Sequence, residues 1–273
     1  YARPVRLVGS EMCIRDSLAL SYFMQGEFLM SQGNYALAIL EFQEAIALDP
    51  NASTIHVAIA DGYIKVGKLK RSETHLKIAI ELDPDETEGL DMLGQIYFSQ
   101  KRHSDAQQIY KRLHTTDPDN LDFIFILADL HRIQKNWDSS IDYYMLAYNV
   151  NTLAIKGLEQ ALQIALSTNK LKRAEEICEL MHNDTPDNLD ILNTYKDLTL
   201  YNKNYRKSLD LLEKIEKQTG VTNELLLQKS ALYEELNQKE LALEVALVAH
   251  ENDSLNIDIP VSYTHLTLPT SKI

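Results

Sequence analysis

Residues 83–118 read DPDETEGLDMLGQIYFSQKRHSDAQQIYKRLHTTDP, a stretch that begins and ends with Asp-Pro. A third pair, Asp49-Pro50, precedes the first of these by the same interval, so the three pairs follow a 34-residue period. The same step carried forward falls on turn-compatible residues, namely Thr152, Pro186, Gly220 and Ser254. A fixed period of about 20–50 residues is typical of repeat proteins, so the pattern predicts seven repeats without insertion or deletion.

The predicted repeats 1 to 7 span residues 19–52, 53–86, 87–120, 121–154, 155–188, 189–222 and 223–256. A small side chain stands at the twentieth position of every repeat, at Ala38, Ser72, Ala106, Ser140, Ala174, Ser208 and Ala242. The eighth position is small in five repeats, and Leu162 and Lys196 break it in repeats 5 and 6. Small residues are needed where two helices approach closely, so each repeat is predicted to be a helical hairpin.

Other positions within a repeat agree with a pair of amphipathic helices. The twenty-fourth position carries a large side chain in six repeats, at Phe42, Leu76, Tyr110, Tyr144, Cys178 and Leu212, and repeat 7 has Ala246 there. Together with the eighth and eleventh positions it continues an apolar stripe at helical spacing. Gly33 and Gly67 stand where the first helix of a hairpin has to end and the chain has to turn.

This arrangement of small, aromatic and proline positions on a 34-residue period resembles the tetratricopeptide repeat (TPR) family. The resemblance covers residues 19–254 and is strongest in repeats 1 to 3. It implies an all-α fold, a right-handed α-solenoid of stacked helix-turn-helix repeats whose concave groove is lined by the first helix of each hairpin. A related hairpin repeat with a slightly longer period, used by some RNA readers, is disfavoured by the strict step and by the acidity of the chain.

The resemblance also implies which side chains line the groove, because the second, fifth, ninth, twelfth and thirteenth positions of each repeat face it in the family. The predicted partner-binding residues are Phe23, Glu27, Met30, Val57, Asp61, Ile64, Glu88, Asp91, Phe98, Asp122, Phe125, Asp129, Arg132, Glu159, Asp190, Asp197 and Tyr201. Acidic side chains dominate this set. The alternative interpretation is that they form a solvated face and that the partner binds elsewhere.

The groove composition predicts a protein or peptide partner that is basic or amphipathic rather than acidic. Some family members clamp a C-terminal carboxylate with Lys, Asn and Arg from neighbouring repeats, and this sequence lacks that set. The function predicted is therefore that of a scaffold or adaptor. The alternative is the interaction region of a larger protein, such as an enzyme, a regulator or a cell-envelope assembly factor.

Composition narrows the classes of partner and of chemistry. The net charge of −13 disfavours nucleic acid and anionic membranes, which attract Lys and Arg. No apolar run is long enough to insert in a membrane, and no histidine pair has helical metal-ligand spacing. Phosphate-binding, dinucleotide-binding and hydrolase motifs are missing, and Cys178 stands at a packing position. We therefore expect no enzyme activity and no cofactor.

Both ends resemble translated sequencing-library adapters. Codons that encode residues 12–17 can be written so that their reverse complement encodes residues 261–265. Residues 1–17 and 261–273 are therefore expected to be adapter-derived, and residues 257–260 to begin a truncated further repeat. On this interpretation the source is bacterial, the compartment is cytoplasmic or periplasmic, and the oligomeric state is open.

Overall fold

The computed structural model describes the backbone of residues 5–252 and the side chains of residues 15–252. Fourteen α-helices and no strands occur in this part of the chain. The helices are α1 (Val5–Ser31), α2 (Tyr35–Leu48), α3 (Ser53–Lys65), α4 (Leu69–Leu82), α5 (Thr87–Ser99), α6 (His103–Thr116), α7 (Leu121–Ile133), α8 (Trp137–Val150), α9 (Ile155–Ser167), α10 (Leu171–Asp184), α11 (Leu189–Tyr201), α12 (Tyr205–Thr219), α13 (Asn223–Glu235) and α14 (Lys239–Asn252).

Helix starts recur at the period of the sequence. The odd-numbered helices from α3 onward begin at a constant step, at Ser53, Thr87, Leu121, Ile155, Leu189 and Asn223. The even-numbered helices begin at the same step, at Tyr35, Leu69, His103, Trp137, Leu171, Tyr205 and Lys239. In both series the step equals the 34-residue period of the Asp-Pro pairs. The all-α helical-repeat solenoid class is confirmed, while its right-handed sense stays a prediction.

The turn that ends each first helix is the same in all seven repeats. The residue in left-handed conformation recurs at the repeat period, at Gly33, Gly67, Lys101, Lys135, Asn169, Lys203 and Asn237. In repeat 1 the Asn34 amide donates to the Leu29 carbonyl at 2.9 Å and the Gly33 amide donates to the Met30 carbonyl at 3.0 Å. These two bonds satisfy carbonyls that the helix end leaves open, and they turn the chain into the second helix.

The chain divides into two compact units. The N-terminal unit is Tyr1–Asn136, with α1 to α7, and the C-terminal unit is Trp137–Ile273, with α8 to α14. Within each unit every helix packs on the next one along the chain, and in the N-terminal unit α3 also contacts α1 and α5. The first helices of successive repeats are therefore neighbours there, which is the arrangement that a groove requires.

The small eighth position accommodates the ring or branched side chain at position twenty-four. A Cβ added to Gly26 would lie 2.4 Å from the Phe42 ring, and one added to Gly94 would lie 2.8 Å from the Tyr110 ring. All seven residues at the twentieth position are at most 1% exposed. The hairpins of repeats 1 and 3 are therefore closed by a glycine on the first helix and an aromatic ring on the second, as close packing of side chains demands.

Repeat 6 keeps the close approach of its helices although Lys196 replaces the small residue. The Ser208 hydroxyl at the twentieth position donates to the Lys196 carbonyl at 3.3 Å. The Lys196 ammonium instead reaches the Gln228 side-chain carbonyl at 3.1 Å and lies 3.1 Å from Asp197. A long side chain fits here because its charged end leaves the interface while its stem stays buried.

Two sequence expectations concern the ends of the described chain. The predicted first helix begins near residue 19, whereas α1 begins at Val5, inside the segment expected to be adapter-derived. Arg15 in that segment donates to the Leu48 carbonyl at 3.0 Å. The expected further repeat at residues 257–260 and the adapter-like residues 261–273 lie outside the described residues.

Candidate partner-binding groove

A pocket of about 360 Å³ lies in the N-terminal unit, between the first helices of repeats 1, 2 and 3. It is lined by Phe23, Glu27, Met30, Thr54, Val57, Ala58, Asp61, Glu86 and Glu88. We call it the acidic pocket. Six of these nine residues are predicted groove residues: Phe23, Glu27, Met30, Val57, Asp61 and Glu88. They meet because α1, α3 and α5 are adjacent and each presents the same repeat positions.

Four carboxylates line the acidic pocket. Burial raises the pKa of Glu27 above its ordinary value, and the charges of Asp61 and Glu88 raise it further. Lys65 stands 3.9 Å from Asp61, one helical turn along α3, and both side chains are partly exposed. Because an exposed pair at this distance neutralises little of the carboxylate field, the pocket keeps a negative charge.

The other wall of the acidic pocket is apolar. Phe23 packs against Phe42 of the hairpin core, with ring centroids 5.6 Å apart. Val57 is buried, while Phe23 and Met30 are half-buried. The acidic pocket therefore combines carboxylates with an apolar wall.

Several predicted groove residues of the N-terminal unit do not line the acidic pocket. Asp91 accepts a hydrogen bond from the Tyr110 hydroxyl at 3.0 Å and another from Gln95 at 2.9 Å. Asp129 forms an ion pair with Arg132 at 2.7 Å. The remaining ones are Ile64, Phe98, Asp122 and Phe125, of which Phe98 packs edge-on against His103. Asp91 and Asp129 therefore have partners within their own hairpin or helix.

The predicted residues of the C-terminal unit do not share one cavity. Glu159 and Asp190 are exposed, and Asp197 pairs with Lys196. Tyr201, 66% exposed, lines a second pocket of about 380 Å³. That pocket is formed by Lys196, Leu200, Tyr201, Lys203, Tyr205, Ser208, Gln228, Ala231, Leu232, Glu234 and Glu235. It carries charges of both signs, in contrast with the acidic pocket.

Three residues of the acidic pocket are missing from the predicted set: Thr54, Ala58 and Glu86. Thr54 stands at a groove-facing repeat position but is neither charged nor strongly apolar. Ala58 lies one helical turn beyond it on α3. Glu86 directly precedes α5, where no side-chain hydrogen bond caps the helix. The repeat register could have identified Thr54, whereas Glu86 depends on the path of the connecting turn.

Metal-ligating and thiol side chains are the candidates for a site of another kind in the described part of the chain. No group of three or more His, Cys, Asp or Glu side chains that could hold a metal ion occurs there. Cys178 is fully buried, and burial raises the pKa of its thiol to about 12, so the reactive thiolate is disfavoured. None of the described helices is long and apolar enough to cross a membrane.

Two family models, both described as tetratricopeptide repeat, match residues 29–96 and residues 88–120. The same hairpin and turn recur at a 34-residue step through the remaining repeats. Residues 29–120 of the chain belong to the tetratricopeptide repeat family. In this TPR protein the acidic pocket is formed by the first helices of three successive repeats, all of which overlap the matched residues.

Known proteins similar to this TPR chain are mostly longer. Tetratricopeptide repeat protein 21A of Mus musculus is 25% identical over 150 residues, which are 54% of this chain and 11% of that protein. Hsp70-Hsp90 organizing protein 3 of Arabidopsis thaliana is 31% identical over 100 residues, 37% of this chain and 18% of that protein. The matched segments thus span less than a fifth of these two relatives.

Solved structures show the same fold at low sequence identity. A tetratricopeptide repeat protein from Parabacteroides merdae has a TM-score of 0.53 at 12% identity and covers 92% of this chain and 100% of its own. Naa15/Naa10 bound to HypK-THB has a TM-score of 0.58 at 12% identity and covers 91% of this chain and 39% of its own. At this identity the similarity concerns the fold alone.

Proposed function

We propose that this TPR chain is a protein-interaction scaffold that binds a basic, amphipathic segment of a partner in the acidic pocket. The observation that carries the proposal is the pocket itself, in which four carboxylates face an apolar wall formed by Phe23, Met30 and Val57. Apolar anchors supply affinity in such a site, while the charges orient the partner and accelerate association.

The electrostatics of the pocket favour a cation over a second anion. Glu27 is crowded by Asp61 and Glu88, so a Lys or Arg side chain would relieve the repulsion that raises the pKa of Glu27. Ion pairs elsewhere in the groove, such as Asp129 with Arg132, leave less charge for a partner. The N-terminal unit is therefore the proposed point of recognition.

The proposal is tested by titrating the protein with two short peptides, one alternating Lys with Leu and one alternating Glu with Leu. Fluorescence anisotropy should show binding of the Lys peptide and little binding of the Glu peptide. The triple variant Glu27→Gln, Asp61→Asn, Glu88→Gln should bind the Lys peptide about tenfold more weakly or worse.

A matched control removes three carboxylates outside the pocket from the same unit. Glu44, Asp85 and Asp119 are exposed. The variant Glu44→Gln, Asp85→Asn, Asp119→Asn has the same net charge as the pocket variant, because each removes three carboxylates. It should keep most of the affinity, because exposed charges outside the contact are largely screened by salt. Equal losses in the two variants would mean that the net charge, not the pocket, attracts the peptide.

A second candidate partner follows from the name Hsp70-Hsp90 organizing protein carried by the Arabidopsis relative. Some members of the family clamp a C-terminal carboxylate, a group that the carboxylates of the acidic pocket would repel. Titration with a peptide ending in Glu-Glu-Val-Asp separates the candidates. Micromolar affinity for that peptide would contradict the proposed preference for a basic segment.

A third possibility concerns the protein as a whole. Since the matched segments are small parts of the relatives, this TPR region can also serve a larger enzyme, regulator or cell-envelope assembly factor. In that case the acidic pocket keeps its role and brings the basic partner to the rest of the protein. Peptide titration of the TPR region tests the pocket in either case.

A further inference from the structure

Two histidines contact each other inside the hairpin of repeat 2. His56 Nδ1 on α3 is 3.0 Å from His75 Nδ1 on α4, and the ring centroids are 5.3 Å apart. His56 is 6% exposed and His75 is half-buried. At this separation one nitrogen donates a hydrogen bond and the other accepts it, so at least one of the two Nδ1 atoms has to be unprotonated.

Both histidines stand at repeat positions that are apolar in most other repeats. The equivalents of His56 are buried in repeats 3 to 7, at Leu90, Ile124, Leu158, Leu192 and Leu226. The equivalents of His75 in repeats 5 and 6 are Ile177 and Leu211, also buried. Repeat 2 therefore holds its two helices together with a titratable contact at a place where others use an apolar one.

Most of the groups around the His56 and His75 rings are uncharged. The nearby cation is Arg71, which contacts Tyr63. The Pro50 carbonyl, in the turn before α3, accepts a hydrogen bond from the His56 ring. The Tyr63 ring lies 5.7 Å from the His75 ring, and its hydroxyl accepts a hydrogen bond from Gln43 of α2. Arg71 of α4 stands over the same tyrosine, 5.7 Å from its centroid.

Four carboxylates of this hairpin and of neighbouring helices are engaged elsewhere. Glu73 of α4 pairs with Lys77 at 2.8 Å and with Arg102 at 2.9 Å. Glu27 of α1, Asp61 of α3 and Glu88 of α5 line the acidic pocket instead. Burial lowers the pKa of both histidines, and the charge of His56 lowers that of His75 further.

We propose that the His56–His75 contact is a pH-sensitive switch, which loosens the α3–α4 hairpin and the α3 wall of the acidic pocket on acidification below about pH 6.5. A first proton can be taken up on a ring nitrogen outside the contact. A second proton places N–H against N–H at the short contact, so the two rings titrate as a coupled pair. Thr54, Val57 and Ala58 lie next to His56 on α3 and line the acidic pocket, so they move with this helix.

The sign of the pH effect follows from the direction of the two shifts. Both folded-state pKa values lie below the ordinary value of about 6.5, so the unfolded hairpin binds protons more readily. The stabilising contribution of the contact is therefore complete above about pH 6.5. It is lost as the pH falls through the lowered folded-state values.

The switch is tested by hydrogen–deuterium exchange at about pH 7.5 and about pH 5.5, with rates corrected for intrinsic exchange. Protection of residues 53–82 should fall about tenfold on acidification, the size expected when a buried polar group loses its partner. The variant His56→Leu, His75→Ile carries side chains used at these positions in other repeats. It should retain protection in this segment at both pH values.

Two further variants keep the test decisive. His75→Gln replaces one ring with an amide partner that does not titrate, and it should also suppress the pH response. It serves as the test if the His56→Leu, His75→Ile variant fails to fold at pH 7.5. His103→Gln removes a histidine of α6 that packs on Phe98, and it should respond like the wild type. Unchanged protection of residues 53–82 in the wild type would overturn the proposal. So would an equal loss in the His56→Leu, His75→Ile variant or, if that variant does not fold, in His75→Gln. Neither outcome depends on the proposed peptide.

Discussion

At the scale of single residues, the left-handed turn after each first helix has the same backbone conformation but different residue types in different repeats. Repeats 1 and 2 place Gly33 and Gly67 there, with φ of 77° and 74°. Repeats 3 and 4 place Lys101 and Lys135 there, with φ of 60° and 61°. A residue with a Cβ is destabilised by about 1–2 kcal/mol in this region, whereas glycine is not.

We predict opposite effects of two substitutions at this turn. Gly67→Ala should lower the free energy of unfolding by about 1 kcal/mol, although a Cβ there would contact nothing within 4 Å. Lys101→Gly should raise the free energy of unfolding by about 0.5 kcal/mol. Glycine removes the cost of a positive φ, but part of this gain is offset because glycine also gives the unfolded chain more freedom. Urea unfolding measures both. A Gly67→Ala variant as stable as the wild type would mean that the turn does not require a positive φ.

The sequence revealed this requirement only in part. Gly33 and Gly67 could be assigned as turn residues because glycine is the usual residue at positive φ. Lys101, Lys135 and Lys203 carry no such signal, because lysine is common on any helix surface. Their conformation is imposed by the hydrogen bonds that close the first helix, and only the 34-residue step indicates it.

At the scale of the helices, the hairpins of repeats 1 and 3 pack the eighth position against the twenty-fourth. Repeat 3 packs Gly94 against Tyr110, whereas repeat 2 has Ala60 and Leu76 at the two positions, and all four residues are buried. The sequence predicted the small and large positions separately. The contact between them depends on the helix crossing, which the period does not specify.

We predict that Gly94→Ala destabilises the N-terminal unit by about 1–3 kcal/mol, because its Cβ would lie 2.8 Å from the Tyr110 ring. The double variant Gly94→Ala, Tyr110→Leu copies the pair used in repeat 2 and should recover part of the loss. Thermal unfolding followed by circular dichroism compares the two. A double variant less stable than the single one would argue against direct steric coupling.

The first turn of α11 provides a second prediction at this scale. The Asn188 side-chain oxygen accepts hydrogen bonds from the Asp190 amide at 3.1 Å and the Ile191 amide at 3.2 Å. Asn188→Ala should lower the free energy of unfolding by about 1 kcal/mol, because the helix start loses its cap. Asn193→Ala, an exposed change on the same helix, should have a much smaller effect in the same urea titration.

At the scale of the whole molecule, the repeat register predicted the fold well and the groove only partly. Glu27, Asp61 and Glu88 were assigned to one face, and they line one pocket. Asp91 and Asp129 were assigned by the same rule, but each is bound by a neighbouring side chain of its own hairpin or helix. Such pairings depend on rotamers and on adjacent helices, so they cannot be predicted from the repeat position alone.

The proposed recognition predicts a strong dependence on salt. Affinity for the alternating Lys and Leu peptide should fall as sodium chloride rises from about 50 mM to about 500 mM, because added ions screen the exposed carboxylates. Part of the binding should remain at high salt, since the apolar wall is unaffected by screening. Anisotropy titrations across this range measure the slope. Salt-independent binding would argue that charge contributes little.

The most direct test maps the bound peptide on the protein by amide chemical-shift changes in an isotope-labelled sample. The account predicts that the Lys and Leu peptide perturbs α1, α3 and α5 around Glu27, Asp61 and Glu88, and that the pocket variant loses these changes. Perturbations confined to the second helices of the hairpins, or to the C-terminal unit, would contradict the claim that the acidic pocket is where this TPR protein binds its partner.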